Sequence, residues 1–301
     1  MDELLQHLVN GVSLGSIYAL VALGYTLVYG NLRLINFAHG DIFMAGAYAA
    51  LFASAGISLV AGPGLLHLSL VLLAAMLAAG LLGLAIERLA YRPLRKAPRV
   101  NLLMTAVGVS LLLENLAQVL FGATPRVFPT VLQERAWLHL SRDISISNIQ
   151  VTVLAVSLIL MLFLEWLVRA TALGRAMRAV AFSHELAALM GVPVDRIIAL
   201  TFCLGSSLAA AAGVLVGISY PRVDPLMGVL VGLKAFVAAV LGGIGDIRGA
   251  VAGGLLLGLA EELVAGYVST SYRDALAFAL LILILLVKPA GLLGRSAPEK
   301  V

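Results

Sequence analysis

Charge is scarce in this chain and cysteine almost absent. The single cysteine, Cys203, excludes an intramolecular disulfide and a cysteine-built zinc site, and reads as a small buried core residue. The five histidines, at 7, 39, 67, 139 and 184, include no pair at the i, i+4 spacing by which one helix face holds a metal. No cluster of His, Cys or paired carboxylates marks a catalytic centre, so an enzyme is not expected. The glycine-rich run 241–249 lacks the Gly-Lys-Ser/Thr ending that grips a nucleotide and its magnesium, which excludes ATP binding by that route. Glycines 245, 249 and 253, and again 254 and 258, instead recur every fourth residue, the spacing that lets two helix backbones approach closely.

Asp, Glu, Lys and Arg make up 12% of the 301 residues, against roughly a quarter in an average soluble domain, while 61% are hydrophobic. The apolar residues form runs near the roughly 20 needed to cross a bilayer. Such runs are too long and too little alternating for barrel strands, so the fold class is all-α, a polytopic transmembrane helical bundle forming one domain over 1–301. Spans are expected near residues 8–30, 36–56, 65–86, 101–122, 149–168, 197–219, 228–243, 249–268 and 274–288, about eight or nine in all. The acidic start, Asp2 and Glu3, argues against a cleaved signal peptide and for a retained Met1.

Basic residues cluster in two loops: Arg88, Arg92, Arg95, Lys96 and Arg99 in one, Arg169, Arg175, Arg178 and Arg196 in the other. The positive-inside rule places both in the cytoplasm. Alternation then puts the N-terminus and the 123–148 stretch outside, and the C-terminal tail with Lys288, Arg295 and Lys300 inside. This arrangement accounts for the net charge of +4 without nucleic acid.

Two regions look like broken or re-entrant helices: the second span, interrupted by Asn36, His39, Gly40 and Asp41, and the glycine-rich 242–258 region. An echo links them, since Gly40-Asp41-Ile42 precedes Gly46-Ala47 and Gly245-Asp246-Ile247 precedes Gly249-Ala250. An ionisable group at membrane depth costs at least a few kcal/mol and normally faces a cavity or a partner. Glu114, Lys234 and the Glu261/Glu262 pair are such groups. Lys234 either snorkels or forms a structural ion pair, or it faces a solvated path or balances Glu114. His39 and Asp41 either cap a helix or meet a polar substrate where half-helix ends converge, so His39, Asp41, Glu114 and Lys234 are the translocation-path candidates.

The loop of about 169–196 carries Gly174, Arg175 and Arg178, then Glu185 to Pro193. Ala181, Leu186, Leu189 and Met190 stand at roughly helical spacing among charged neighbours, and Gly191 and Pro193 end the run. A short amphipathic helix is expected there, resting on lipid or docking a cytosolic partner.

The run from Leu27 to Asp41, the Gly174-Arg175-Ala176 loop, the run from Lys234 to Gly245 and the tail from Leu283 to Gly294 resemble bacterial branched-chain amino acid ABC transporter permeases, of the smaller permease type. Glu185, Ala187 and Gly191 also fit the pattern through which importer permeases contact their ATPases, with Leu186 where its first alanine would stand. The resemblance implies an inner-membrane permease subunit that carries leucine, isoleucine or valine. It implies no cofactor on this chain, with ATP and magnesium on two cytosolic ATPase subunits. A second related permease subunit, an extracytoplasmic amino-acid-binding protein and membrane lipid are the implied partners. Similar permeases are associated with urea or other amino acids and amides. A gradient-driven secondary transporter is the rival reading.

Overall fold

The computed structural model describes residues 2–32, 34–95, 97–139 and 145–294. The expectations placed on Met1, Lys96, Arg295 and Lys300 lie outside the described residues, as do those on the side chains of Arg99 and His139. Helices appear at all nine expected spans: α1 (Asp2–Leu32), α2 (His39–Ile57), α3 (Leu65–Ile86), α4 (Arg99–Phe121), α5 (Asn148–Ala170), α8 (Val194–Ser219), α9 (Met227–Gly242), α10 (Ile247–Tyr267) and α11 (Arg273–Val287). Between α5 and α8 lie two short ones, α6 (Ala172–Phe182) and α7 (His184–Leu189). Eight of the described helices are long and apolar enough to cross a membrane. Helix α11 reaches that length only with the preceding turn, over Thr270–Val287, and the 16-residue α9 falls short, about 24 Å at 1.5 Å per residue.

The bundle is built around α1 and α8. Every residue of α1 from Gly15 to Val28 is buried, as are Leu208 to Leu215 of α8. Small residues make this possible: a Cβ added at Gly15 would meet the Leu255 backbone of α10 at 2.8 Å, and one at Gly254 would meet Ala19 Cα at 2.6 Å. Helices α1 and α10 therefore pack backbone to backbone, where dispersion rather than hydrophobic exclusion holds membrane helices together. Gly258 seats against Gly15 in the same contact, while Gly249 and Gly253 face α9 at Gly242 and Ala238. Gly245 is different, a turn residue at φ +99° with nothing near its missing side chain. Helices α3, α4, α5 and α11 form the outer layer and keep long apolar side chains such as Leu77, Leu112, Phe163 and Leu286 exposed.

Neither suspected interruption falls inside a helix. Helix α10 runs unbroken from Ile247; the break is the turn at Gly243 and Gly245, both with positive φ, closed by Asp246, whose side chain accepts from the Gly249 amide at 2.8 Å. Helix α2 likewise begins only at His39, after irregular backbone over 34–38. At the arginine-rich end, Arg92 and Arg95 pair with Asp195 at 2.5 and 2.7 Å, and Arg95 also pairs with Glu87, joining the end of α3 to the start of α8. At the opposite end two short antiparallel ribbons form. β1 (Arg126–Val127) pairs with β4 (Arg222–Val223), and β2 (Ala136–His139) with β3 (Ser145–Ser147).

Candidate functional site

The irregular segment after α1 re-enters the bundle instead of staying at its surface. Leu34, Asn36 and Ala38 are buried, and the Tyr91 hydroxyl donates to Asn36 Oδ1 at 2.6 Å, satisfying part of a non-helical stretch that hydrocarbon could not. His39 then lies against the Tyr25 ring, 4.6 Å between centroids, and fills the space that Gly24 leaves open. Because Gly24 is eight residues before the end of α1, the first turn of α2 sits about 12 Å in from that end. His39 itself is 1% exposed and part of this packing.

Two residues on, Asp41 lines a cavity of about 110 Å³ together with Tyr25, Ser110, Glu114 and the glycines Gly40, Gly228 and Gly232. Asp41 is only 2% exposed, and Ser110 Oγ donates to its Oδ2 at 2.5 Å. Ser110 and Glu114 are one turn apart on α4, so both face the same cavity. The glycines bring α9 against α2: a Cβ at Gly232 would meet Gly40 Cα at 2.9 Å, and one at Gly228 would overlap the Gly40 carbonyl. None of the ion pairs among the described residues involves Asp41 or Glu114. Ser110, Gly228 and Gly232 were not singled out from sequence, although Gly228-x3-Gly232 carries the small-residue spacing and Ser110-x3-Glu114 the one-face spacing that could have shown them.

Lys234 is not part of that cavity and does not balance Glu114. Its Nζ lies 3.2 Å from Glu261 Oε2 and 2.7 Å from Asp274 Oδ1, and Tyr18 donates its hydroxyl to the same Glu261 oxygen at 3.0 Å. Glu262 is held by Arg273 at 2.7 Å, with His7 at 3.6 Å. The buried lysine and the glutamate pair thus tie α1, α9, α10 and α11 into one polar knot.

The loop between α5 and α8 folds as two capped helices instead of one. Thr171 Oγ1 accepts from Gly174 N at 3.1 Å to start α6, and Ser183 Oγ accepts from Leu186 N at 3.3 Å to start α7. Gly174 is glycine because a Cβ there would meet the Leu167 carbonyl at 2.5 Å where α6 folds back on α5, and Arg178 bonds the Val168 carbonyl in the same corner. Gly191 ends α7 at φ +81°, in the left-handed cap that glycine favours. Met177, Val180 and Ala187 point inward, whereas Leu186, Leu189 and Met190 are 54%, 82% and 83% exposed, and Arg175 and Glu185 are exposed as well. The amphipathic pattern is therefore present with part of its apolar side turned outward. His184 Nε2 bonds the Asn31 carbonyl at 2.7 Å, and Asn31 Nδ2 donates to Thr201 at 2.7 Å, so α7 is fastened to the end of α1 and through it to α8.

Residues 7–285 match the family described as branched-chain amino acid transport system, permease component. The high-affinity branched-chain amino acid transport system permease protein LivH of Escherichia coli is 44% identical over 300 residues, covering 99% of this chain and 97% of that protein. BraD of Pseudomonas aeruginosa, carrying the same description, is 45% identical over 303 residues, 99% and 98% of the two chains. A probable branched-chain amino acid transport permease protein of Methanocaldococcus jannaschii is 29% identical over 297 residues, covering 93% and 89%.

Proposed function

The chain belongs to the family of permease components of branched-chain amino acid transport systems, and from that premise we propose that it forms part of the membrane path of an importer for leucine, isoleucine and valine. The observation that carries this reading is identity of 44% to 45% across nearly the whole of two high-affinity permeases for that cargo. ATP is hydrolysed on two separate cytosolic subunits. A second, related permease and an extracytoplasmic binding protein complete the assembly. The N-terminus lies outside and the C-terminus in the cytoplasm, because Arg92, Arg95, Arg175 and Arg178 gather at one end of the bundle.

In this mechanism the ATPase docks on the exposed Leu186, Leu189 and Met190, next to Glu185 and Gly191. Its closure moves α7. The His184 bond to Asn31 carries that displacement to the end of α1, and the next eight residues of chain lead to His39 and the mid-depth start of α2. There Asp41 and Glu114, which lack a cationic partner among the described residues, meet the ammonium group of the passing amino acid. The close glycine contact of α2 with α9 lets the cavity open or shut by a small sliding of backbones.

The test is ATPase activity of the chain reconstituted with its ATPase and binding-protein partners, against leucine, isoleucine, valine, urea and a non-cognate amino acid. Stimulation by the three branched-chain amino acids is expected. Stimulation by another solute alone would replace the cargo, and uptake by this chain without any ATPase would overturn the importer reading.

A further inference from the structure

Near the ends that carry the 123–148 segment, α3 and α5 face one another and barely touch, leaving an apolar crevice of about 670 Å³. One wall is Leu65, Leu68 and Leu72 of α3, and the other is Val151, Ala155 and Ile159 of α5, each set on one helix face. The few polar groups along it are already satisfied: Thr152 Oγ1 donates to the Asn148 carbonyl at 2.8 Å and Ser69 Oγ to the Leu66 carbonyl at 2.9 Å. Arg135 stands at the mouth. Its guanidinium reaches the Gln133 side-chain oxygen at 3.2 Å and forms no ion pair with a carboxylate among the described residues.

A dry crevice in a bilayer is not left empty, because its walls would forfeit their dispersion contacts, and its lining offers water few partners. Length and charge decide what fills it. The stretch of α5 from Asn148 to Ile159 is about 16 Å long, close to the roughly 15 Å of hydrocarbon in one leaflet. An acyl chain of one leaflet matches that length, and the Arg135 guanidinium at the mouth suits the phosphate at its head.

We propose that this crevice is a phospholipid site, with one acyl chain between α3 and α5 and the headgroup phosphate on Arg135. A lipid of net negative charge is favoured, since phosphatidylethanolamine brings its own ammonium to offset the arginine, whereas phosphatidylglycerol does not. Bound there, the lipid closes the gap and holds α3 to α5.

The experiment is native mass spectrometry of the full chain released from vesicles of equal phosphatidylglycerol and phosphatidylethanolamine, with melting temperature as the check on folding. The wild-type chain should retain at least one phosphatidylglycerol. Ala155→Trp, at an exposed wall position, should lower that occupancy at least tenfold. Arg135→Gln should keep a lipid but lose the preference for phosphatidylglycerol several-fold. A wild-type chain without retained lipid, or Ala155→Trp retaining as much as wild type at equal melting temperature, would overturn the proposal. So would a photo-crosslinker at position 155 that labels protein instead of lipid.

Discussion

Lys234 and Asp41 are both buried charged side chains, 8% and 2% exposed, but their surroundings differ. Lys234 sits between Glu261 and Asp274, with the Tyr18 ring 6.0 Å away, so its charge is matched from three other helices. Asp41 has a serine hydroxyl and, across a small cavity, another acid. A matched set of charges holds helices in one arrangement. An acid pair beside open space, with no cation matching it among the described residues, is available to a visiting one.

Substitution at each of the two sites tests that difference. The largest stability effect is expected from Lys234→Met, which leaves the fully buried Glu261 without its cation; removing one partner of a buried pair costs about 3–5 kcal/mol. Thermal unfolding of the purified chain measures it, and Lys234→Met with Glu261→Met should regain most of the loss. An unchanged melting temperature in the single variant would deny the knot its structural role. Asp41→Asn keeps the shape and can still accept from Ser110, so stability should move by less than about 1 kcal/mol while transport falls at least tenfold.

How far the sequence speaks follows the same division. Long apolar runs announce themselves one segment at a time, so all nine helices were legible, with ends within three residues except at the start of α1, which begins six residues before the expected span. The glycine stripe on α10 was legible as well, because its repeat lies within one helix. Tertiary pairing was not: Glu261 is 27 residues from Lys234, and no local spacing says that it, and not Glu114, is the partner. The depth of His39 was equally hidden, since an interrupted apolar run reads the same whether the break is within a helix or before one. In the loop, Ser183 offered a cap signal that splits α6 from α7, and the amphipathic spacing across it masked the split.

Smaller effects test the loop against the cavity. Gly191→Val places a branched side chain at φ +81°, costing about 1–2 kcal/mol locally, and should lower substrate-stimulated ATPase activity severalfold without preventing insertion. Full activity would remove the loop from the coupling route. Ser183→Ala deletes the cap of α7 and should cost about 1 kcal/mol, read as faster amide exchange confined to 184–191. Exchange that rises equally around Asp41 would mean that loop and cavity are one cooperative unit.

Leucine uptake into proteoliposomes holding the complete transporter tests most directly the proposed passage of the amino acid by Asp41 and Glu114, which lack a cationic partner among the described residues. Asp41→Asn should reduce uptake at least tenfold at unchanged melting temperature and unchanged complex assembly. Uptake equal to wild type would place the amino acid's path elsewhere in the bundle.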